Sequence, residues 1–477
     1  MRQLTQEMKP GPAIDAINAH THADGLGVPI PTDGLEDGAV TRKKIAPKAV
    51  SSAEIDNGAV GVEQLSEDLS NSIQRNITAG VNAPGYYKRD VPFYFHHKTI
   101  IASPHRLWLN ISTRGFILEK QKLIDISHDE AFDSKAQLWQ ADHDYQIDDV
   151  VYPSDTKSGY YYRCTVAGRS SQLTPVFPQT LGQTYNDGNV VWICEYDFTV
   201  AANRAGRDFY IYACIPKTGV EPVIVVSANA TVPLRYTADN SRKIGGFHCE
   251  CMDVGTPTEG HWLTGWKAGE ILPFSVWDLH HRPKGGAVEG MSWIPGHGWM
   301  SIYLLSSTGD TEGKNRSLSS KYQGIIADGT STPTWRCLDH IETLAKSGQC
   351  LPTMEALISA GWGTLNGTPI KEQIDPITTG GHKNTRDTRV ISNYGMEDTC
   401  GCEYSWAKDS YSGLHNQCVG GCWANGFDVA SYFCASDAPG TVGLYPWIGA
   451  RSFAEDVVGN TVDILALIKT RMEATRK

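Results

Sequence analysis

Between Gly420 and Arg451 the chain reads GGCWANGFDVASYFCASDAPGTVGLYPWIGAR. Gly, Trp and Asn recur there as turn residues, yet Phe427, Tyr432, Phe433, Leu444, Tyr445 and Trp447 sit between them. These large side chains follow neither a strand's two-residue alternation nor a helix's three-to-four spacing. Such a pattern belongs to long loops held by anchors. It leaves two places for the aromatics, in a core or on display.

The text around this stretch is also loop-rich. Upstream, PTWRCLDHIETLAKSG and LPTMEALISAG have helical apolar spacing. Each ends at a Gly, and Thr353 is placed to cap the second. Downstream, DVVGNTVDILALIKTRMEATRK sets Ile464, Leu465, Ile468 and Met472 on one side of a terminal helix, docked on the body or on a sister subunit. From Gly85 to Ser127 the pattern is strand-like, and it resumes with DFYIYACIP, VEPVIVVSA and TVPLRYTA. The interruption, 138–196, contains short strands and an Asp187-Gly188 turn, and reads as a compact inserted unit.

The N-terminal text carries a ten-residue repeat: Ala39-Val40, Ala49-Val50 and Ala59-Val60, with Ile45, Ile55 and Leu65 in phase. So thin an apolar stripe needs another copy of the chain to cover it, or else it is a solvated tail. Ahead of it, His20 and His22 in HTHADG point to one side of an extended chain. Three copies on a threefold axis would offer a transition metal an octahedral set of nitrogens; the plainer reading is exposed loop histidines.

The chain has 477 residues, which suggests about three or four domains. At 40% hydrophobic and 20% charged residues it is ordinary globular material, and no apolar run is long enough to span a bilayer. A net charge of −11 with no basic stripe argues against a nucleic-acid partner. Twelve Cys with no signal peptide are expected as reduced thiols, in a protein made in a cytoplasm. Abundant Gly (47), Trp (13) and Tyr (20) with few helical patterns point to a mainly β chain.

No catalytic constellation emerges. His280 and His281 are adjacent and so diverge in a strand, while His297 lies between glycines. The pairs Cys249/Cys251 and Cys400/Cys402, the latter with Cys418 and Cys422, have one-residue gaps; buried thiols fit that spacing better than zinc ligands.

Two resemblances add to this reading. The unit at 138–196 resembles small carbohydrate-binding modules of the chitin-binding type, through Trp139, Tyr145, Tyr152, Tyr161 and Trp192. The resemblance implies these five rings as sugar-binding platforms, since exposed aromatics stack on sugar faces. The alternative is that, in so small a unit, the same rings are simply its core. The second is carried by RVISNYGMEDTCGCEYSWAKD (389–409), GGCWANG (420–426) and IGAR (448–451), with looser matches from NSRKIGGFHCEC onward. Together they resemble the C-type-lectin-fold domains of formylglycine-generating, sulfatase-modifying enzymes. The retroelement-diversified variable proteins, phage major tropism determinants among them, share that fold.

In the latter group the side chains between GG-x-W and IGAR face outward as a receptor-binding patch. Carried over, the patch is Cys422, Ala424, Phe427, Asp428, Ser431, Tyr432, Phe433, Cys434, Ala435, Ser436, Leu444 and Tyr445. Trp406 and Trp423 anchor the loops, Gly420, Gly421 and Gly426 permit tight backbone paths, and Arg451 donates to loop carbonyls or a carboxylate. The resemblance implies a phage tail receptor-binding protein (an adhesin) that acts without chemistry or a required cofactor. Its partners would be a host cell-surface receptor, protein or glycan, and other virion tail proteins, and it would be a homotrimer on the virion. A purely structural tail component and, further off, a sulfatase-modifying enzyme are the alternatives. The expected architecture is a fibre-like segment (1–84), a β domain (85–137 with 197–234) interrupted by the module (138–196), an α+β C-type lectin fold (235–456) and a C-terminal helix (457–477).

Overall fold

The computed structural model describes residues 86–88, 92–154, 158–218, 221–285, 287–308, 315–365, 373–381, 388–412, 415–425, 435–439, 443–457 and 464–476; at 86–88, 411–412, 425 and 435–439 it describes the backbone only. All of them belong to the second of two compact units, Asn71–Lys477. The decapeptide repeat, His20 and His22 lie outside the described residues.

Short antiparallel strands dominate. Leu107–Ile111 alternates buried and half-buried residues, so Leu107, Leu109 and Ile111 face inward, where Phe116 and Leu118 of the paired strand Arg114–Leu118 are also buried. A second sheet joins Tyr94–His97, Ile100–Ala102 and Leu123–Asp125. A third runs in the order Val223–Ser227, Asp208–Cys214, Ser241–His248, Trp277–Asp278. All three feed one core, in which Phe95, Leu109 and Phe132 join Phe209, Ile211, Phe247 and Trp266. The chain on either side of 138–196 therefore shares a single interior.

Residues 137–196 have their own. Their five-stranded sheet is ordered Thr184–Asp187, Val190–Tyr196, Tyr160–Val166, Val150–Tyr152, Gln137–Leu138. The register Asp187↔Val190 leaves a two-residue hairpin turn, and Gly188 takes φ +61° there. A Cβ at Gly188 would come within 2.5 Å of the Arg169 carbonyl oxygen, so the position suits glycine on two counts.

In the C-terminal part the Tyr404–Ser412 strand lies between His415–Val419 and the parallel Ile448–Gly449, with Ala435–Pro439 at the far edge. A second sheet brings Phe453–Ala454 against Gly298–Ser301 and Met291–Ile294. The expected helices occupy Cys337–Lys346 and Met354–Ala360, and the Thr353 hydroxyl accepts from the Ala356 N–H at 3.1 Å. The terminal helix, Ile464–Arg476, buries Ile464, Ile468 and Met472 in the main core, so the body itself is its docking surface. Each such side chain contributes about 1.5–3 kcal/mol.

At the centre is a buried polar cluster. The Arg389 guanidinium donates to Glu250 Oε1 at 2.7 Å, to Glu397 Oε1, to Cys251 Sγ at 3.2 Å and to the Met252 carbonyl. Beside it His248 bridges Asp208 (2.9 Å) and the Tyr303 hydroxyl (3.0 Å).

Candidate recognition surface

The segment from Gly420 to Arg451 is fixed at both ends by backbone bonds. At its start, Gly401 N–H donates to the Gly421 carbonyl and Trp423 N–H to the Cys402 carbonyl, both at 2.9 Å. At its end, Tyr404 N–H donates to the Trp447 carbonyl at 3.0 Å. The Trp423 indole N–H then reaches the Pro446 carbonyl at 3.3 Å, tying one end to the other. Gly420 sits at φ +111°, where a Cβ would also press on the Thr399 carbonyl at 3.1 Å.

Beneath this base lies Arg451, 2% exposed. It donates to the carbonyls of Ser301 (3.1 Å), Ile302 (2.8 Å) and Glu397. Burial lowers its pKa to about 10, still charged at neutral pH. Trp406 is buried on the strand that pairs with Ile448–Gly449, and its ring meets Tyr445 edge-on at 6.0 Å. Glu403 is fully enclosed with neither carboxylate oxygen hydrogen-bonded by protein, and burial pushes its pKa well up. It shares a cavity of about 10 Å³ with Ser405, Asp398 and Arg451, space for a single water.

The expected patch residues divide. Ala424 and Leu444 are exposed, Leu444 at 49%, and Trp447 beside them is 36% exposed. Tyr445 is half-buried against Trp406 and Trp447, so its ring is shared between frame and surface. Cys422 is a correction: it is 0% exposed and part of the core around Trp406, so its side chain is not displayed on the surface. Ala435 and Ser436 lie on the strand Ala435–Pro439, opposite Val419 and Cys418. Phe427, Asp428, Ser431, Tyr432, Phe433 and Cys434 lie outside the described residues.

The five aromatics proposed as sugar platforms are corrected together: all are buried. Trp139 and Trp192 both donate their indole N–H to Asp187 Oδ2, at 2.8 and 3.0 Å. Tyr145 packs edge-on against Trp192 at 4.9 Å. Tyr152 and Tyr161 place both hydroxyls on Asp129, which precedes the module in the chain. Their rings are core and their polar tips are tethers, leaving no open face for a sugar. The sequence reading missed Asp187 and Asp129. A buried indole or phenol needs an acceptor, and that requirement was the available signal.

Glu250, Cys251 and Glu397 are the cluster, among the described residues, close enough to ligate one ion. Arg389 occupies the position between them, and burial pushes the Cys251 thiol well up, away from the thiolate that metals need. Cys400, Cys402, Cys418 and Cys422 are all buried and form no such cluster among the described residues. His281 is packed between Trp293 and Trp299 at ring distances of 4.9 and 5.0 Å.

Comparison with known proteins places this geometry. Residues 177–278 match the family model described as the Mtd second domain. The tail fiber receptor-binding protein of Bordetella phage BPP-1 is 28% identical over 231 residues, 44% of this chain and 56% of that protein. The alignment thus spans little more than half the length of this curated relative. Among solved structures, the Major Tropism Determinant P3c variant superposes with a TM-score of 0.51 at 18% identity, covering 78% of this chain and 86% of that one. The M1 variant gives 0.50 at 18% identity, over 79% and 86%. The chain therefore shares the mainly β, C-type-lectin-like fold of those determinants.

Proposed function

We propose that the chain is a receptor-binding protein of a phage tail, which attaches the virion to a host cell through the loop between Gly420 and Arg451. One observation carries this reading. The loop is closed at its base by backbone bonds and a buried arginine, while the side chains described at its two ends, Ala424, Leu444 and Trp447, face solvent. The relative named as a tail fiber receptor-binding protein supplies the biological setting.

Recognition on such a surface needs no catalytic group. Tyr and Phe within the loop would bury large areas with few rotors to freeze. The assembly we favour is a homotrimer joined to the tail through its N-terminal segment, where His20 and His22 of three chains would surround a metal ion on the axis. Several weak patches per virion then bind firmly by avidity.

The test is competition for adsorption. Purified protein is expected to block virion attachment to host cells, and the Tyr432→Ala/Leu444→Ala variant to block at least about tenfold less well. Equal competition by a variant with unchanged thermal unfolding would sink the loop assignment.

A further inference from the structure

The buried aromatics leave the module without a stacking platform, but a different concavity opens at its seam with the body. It has a volume of about 540 Å³, within the range of small-ligand sites. One wall is the module strand bearing Ile193 and Glu195, with Arg163 beside it. The other is Asp133, Ser134 and the turn after Val223–Ser227, at Ala228 and Asn229. Ala228 and Asn229 are exposed, as is Leu181 on the module side, so the cleft is accessible.

Its chemistry is specific. Ser134 Oγ is buried with no protein partner, an unmet donor and acceptor. Asn229 spends its Oδ1 on Thr231 N–H and hydroxyl, which leaves its amide N–H₂ as a donor. Asp133 accepts from Leu234 N–H at 2.6 Å, and none of its hydrogen-bond partners is charged. Arg163 is already divided between Glu195 (2.7 Å) and Asp148 (3.1 Å), so it holds no free charge for an anion. Burial pushes the Asp133 carboxyl up, so it serves here as a hydrogen-bonding group more than as a charge, while the carboxylates of Glu195 and Asp148 outnumber Arg163.

We propose that this cleft binds a neutral or amine-bearing saccharide, its hydroxyls meeting Ser134, Asn229 and the Asp133 and Glu195 carboxyl groups, its carbon face resting on Ile193 and Leu181. Phosphate, uronate and sialate groups are repelled by the carboxylates of Glu195 and Asp148. The site uses none of the Gly420–Arg451 loop and does not depend on that loop's gripping a receptor.

Isothermal titration of the full chain with three trisaccharides tests it: glucosamine, N-acetylglucosamine and galacturonate trimers. The first two are expected to bind, and the galacturonate trimer at least about tenfold more weakly. Ala228→Trp fills the cleft from an exposed position without removing a bond, and should weaken both ligands by about tenfold or more. Asn229→Ala serves as a second variant if Ala228→Trp does not fold, with the same direction expected. Glu195→Gln should weaken the glucosamine trimer more than the acetylated one. No binding by either favoured trimer overturns the proposal. So does tightest binding of the galacturonate, or unchanged affinity in a folded Ala228→Trp protein.

Discussion

Replacing Glu397 with Gln probes the polar centre on which Arg389 and Arg451 converge. Glu397 is 1% exposed; its Oε1 accepts from Arg389 and its Oε2 from Gly381 N–H at 3.1 Å. Burial is the largest influence on its carboxyl, Arg389 opposes it and Glu250 adds to it, leaving the pKa pushed up to about 8 from 4.5. Between those values the folded state keeps a proton that the unfolded chain has released. Stability is therefore lost as pH rises, by about 1.4 kcal/mol per pH unit, or roughly 4 kcal/mol from pH 5 to 8. Glutamine has no proton to release, so this slope vanishes. The amide N–H₂ must face either Arg389 or Gly381 N–H, a donor against a donor, but the protonated carboxyl already sets its O–H against one of the same groups, so the exchange adds little while the parent is protonated. The variant is thus expected to be about as stable as the parent at pH 5 and more stable at pH 8. Guanidinium denaturation midpoints at pH 5, 6.5 and 8, with m-values checked for equality, read this out. Buried groups that touch neither Arg389 nor Glu397, Glu403 among them, are unchanged between the two proteins, so the difference reports this arginine-centred cluster. Parallel stability curves would refute the argument.

Arg451→Lys keeps the charge but replaces a planar fork that serves three carbonyls with one ammonium. Leaving one or two buried carbonyls unpaired should cost about 2–4 kcal/mol in chemical denaturation, and a loss under about 0.5 kcal/mol would dismiss its role at the loop base. Asp187→Ala unpairs two indole N–H groups and the Ser171 backbone N–H. A loss of about 3 kcal/mol is expected, with proteolytic cleavage appearing within residues 137–196 before anywhere else. Thr353→Ala removes the cap bond to Ala356 and should cost about 1 kcal/mol, seen as faster exchange of the amides in the first turn of Met354–Ala360.

What was legible in the sequence follows physical range. Helix spacing and the Thr353 cap are local, and both appear where expected. The Asp187-Gly188 turn is local as well, since glycine at φ +61° answers a two-residue hairpin. The fold-level reading came from a spaced set of anchors, and Trp406, Gly420 and Arg451 do meet around one loop base. Failures came where one residue type has two uses. A Trp in a small module is either platform or core, and its own sequence does not say which. The deciding fact is an acceptor far along the chain, Asp187 for Trp139. Cys422 failed for a similar reason: it stands next to the Trp423 anchor, and its backbone pairs with Cys402, which turns its side chain into the interior. The seam cleft was invisible because its walls come from stretches about a hundred residues apart, Asp133 against Asn229.

The loop base suggests why its contents are free to differ from its frame. Among the described residues, the bonds that Gly401, Trp423 and Tyr404 N–H groups donate at its base are backbone to backbone. Others come from the side chains of Trp423 and Arg451, which stand at its margins and end on carbonyl oxygens that every residue possesses. None of these closing bonds uses a side chain between Ala424 and Tyr445. Closure at the base confines the ends of the segment and lowers the entropy a partner must remove when it binds. Tyr445 is the instructive exception, because its ring touches Trp406 from the frame and Trp447 at the surface. If the loop is the recognition surface proposed above, a substitution there would act on stability and on recognition together, whereas one at Leu444, half in solvent, would act mainly on recognition.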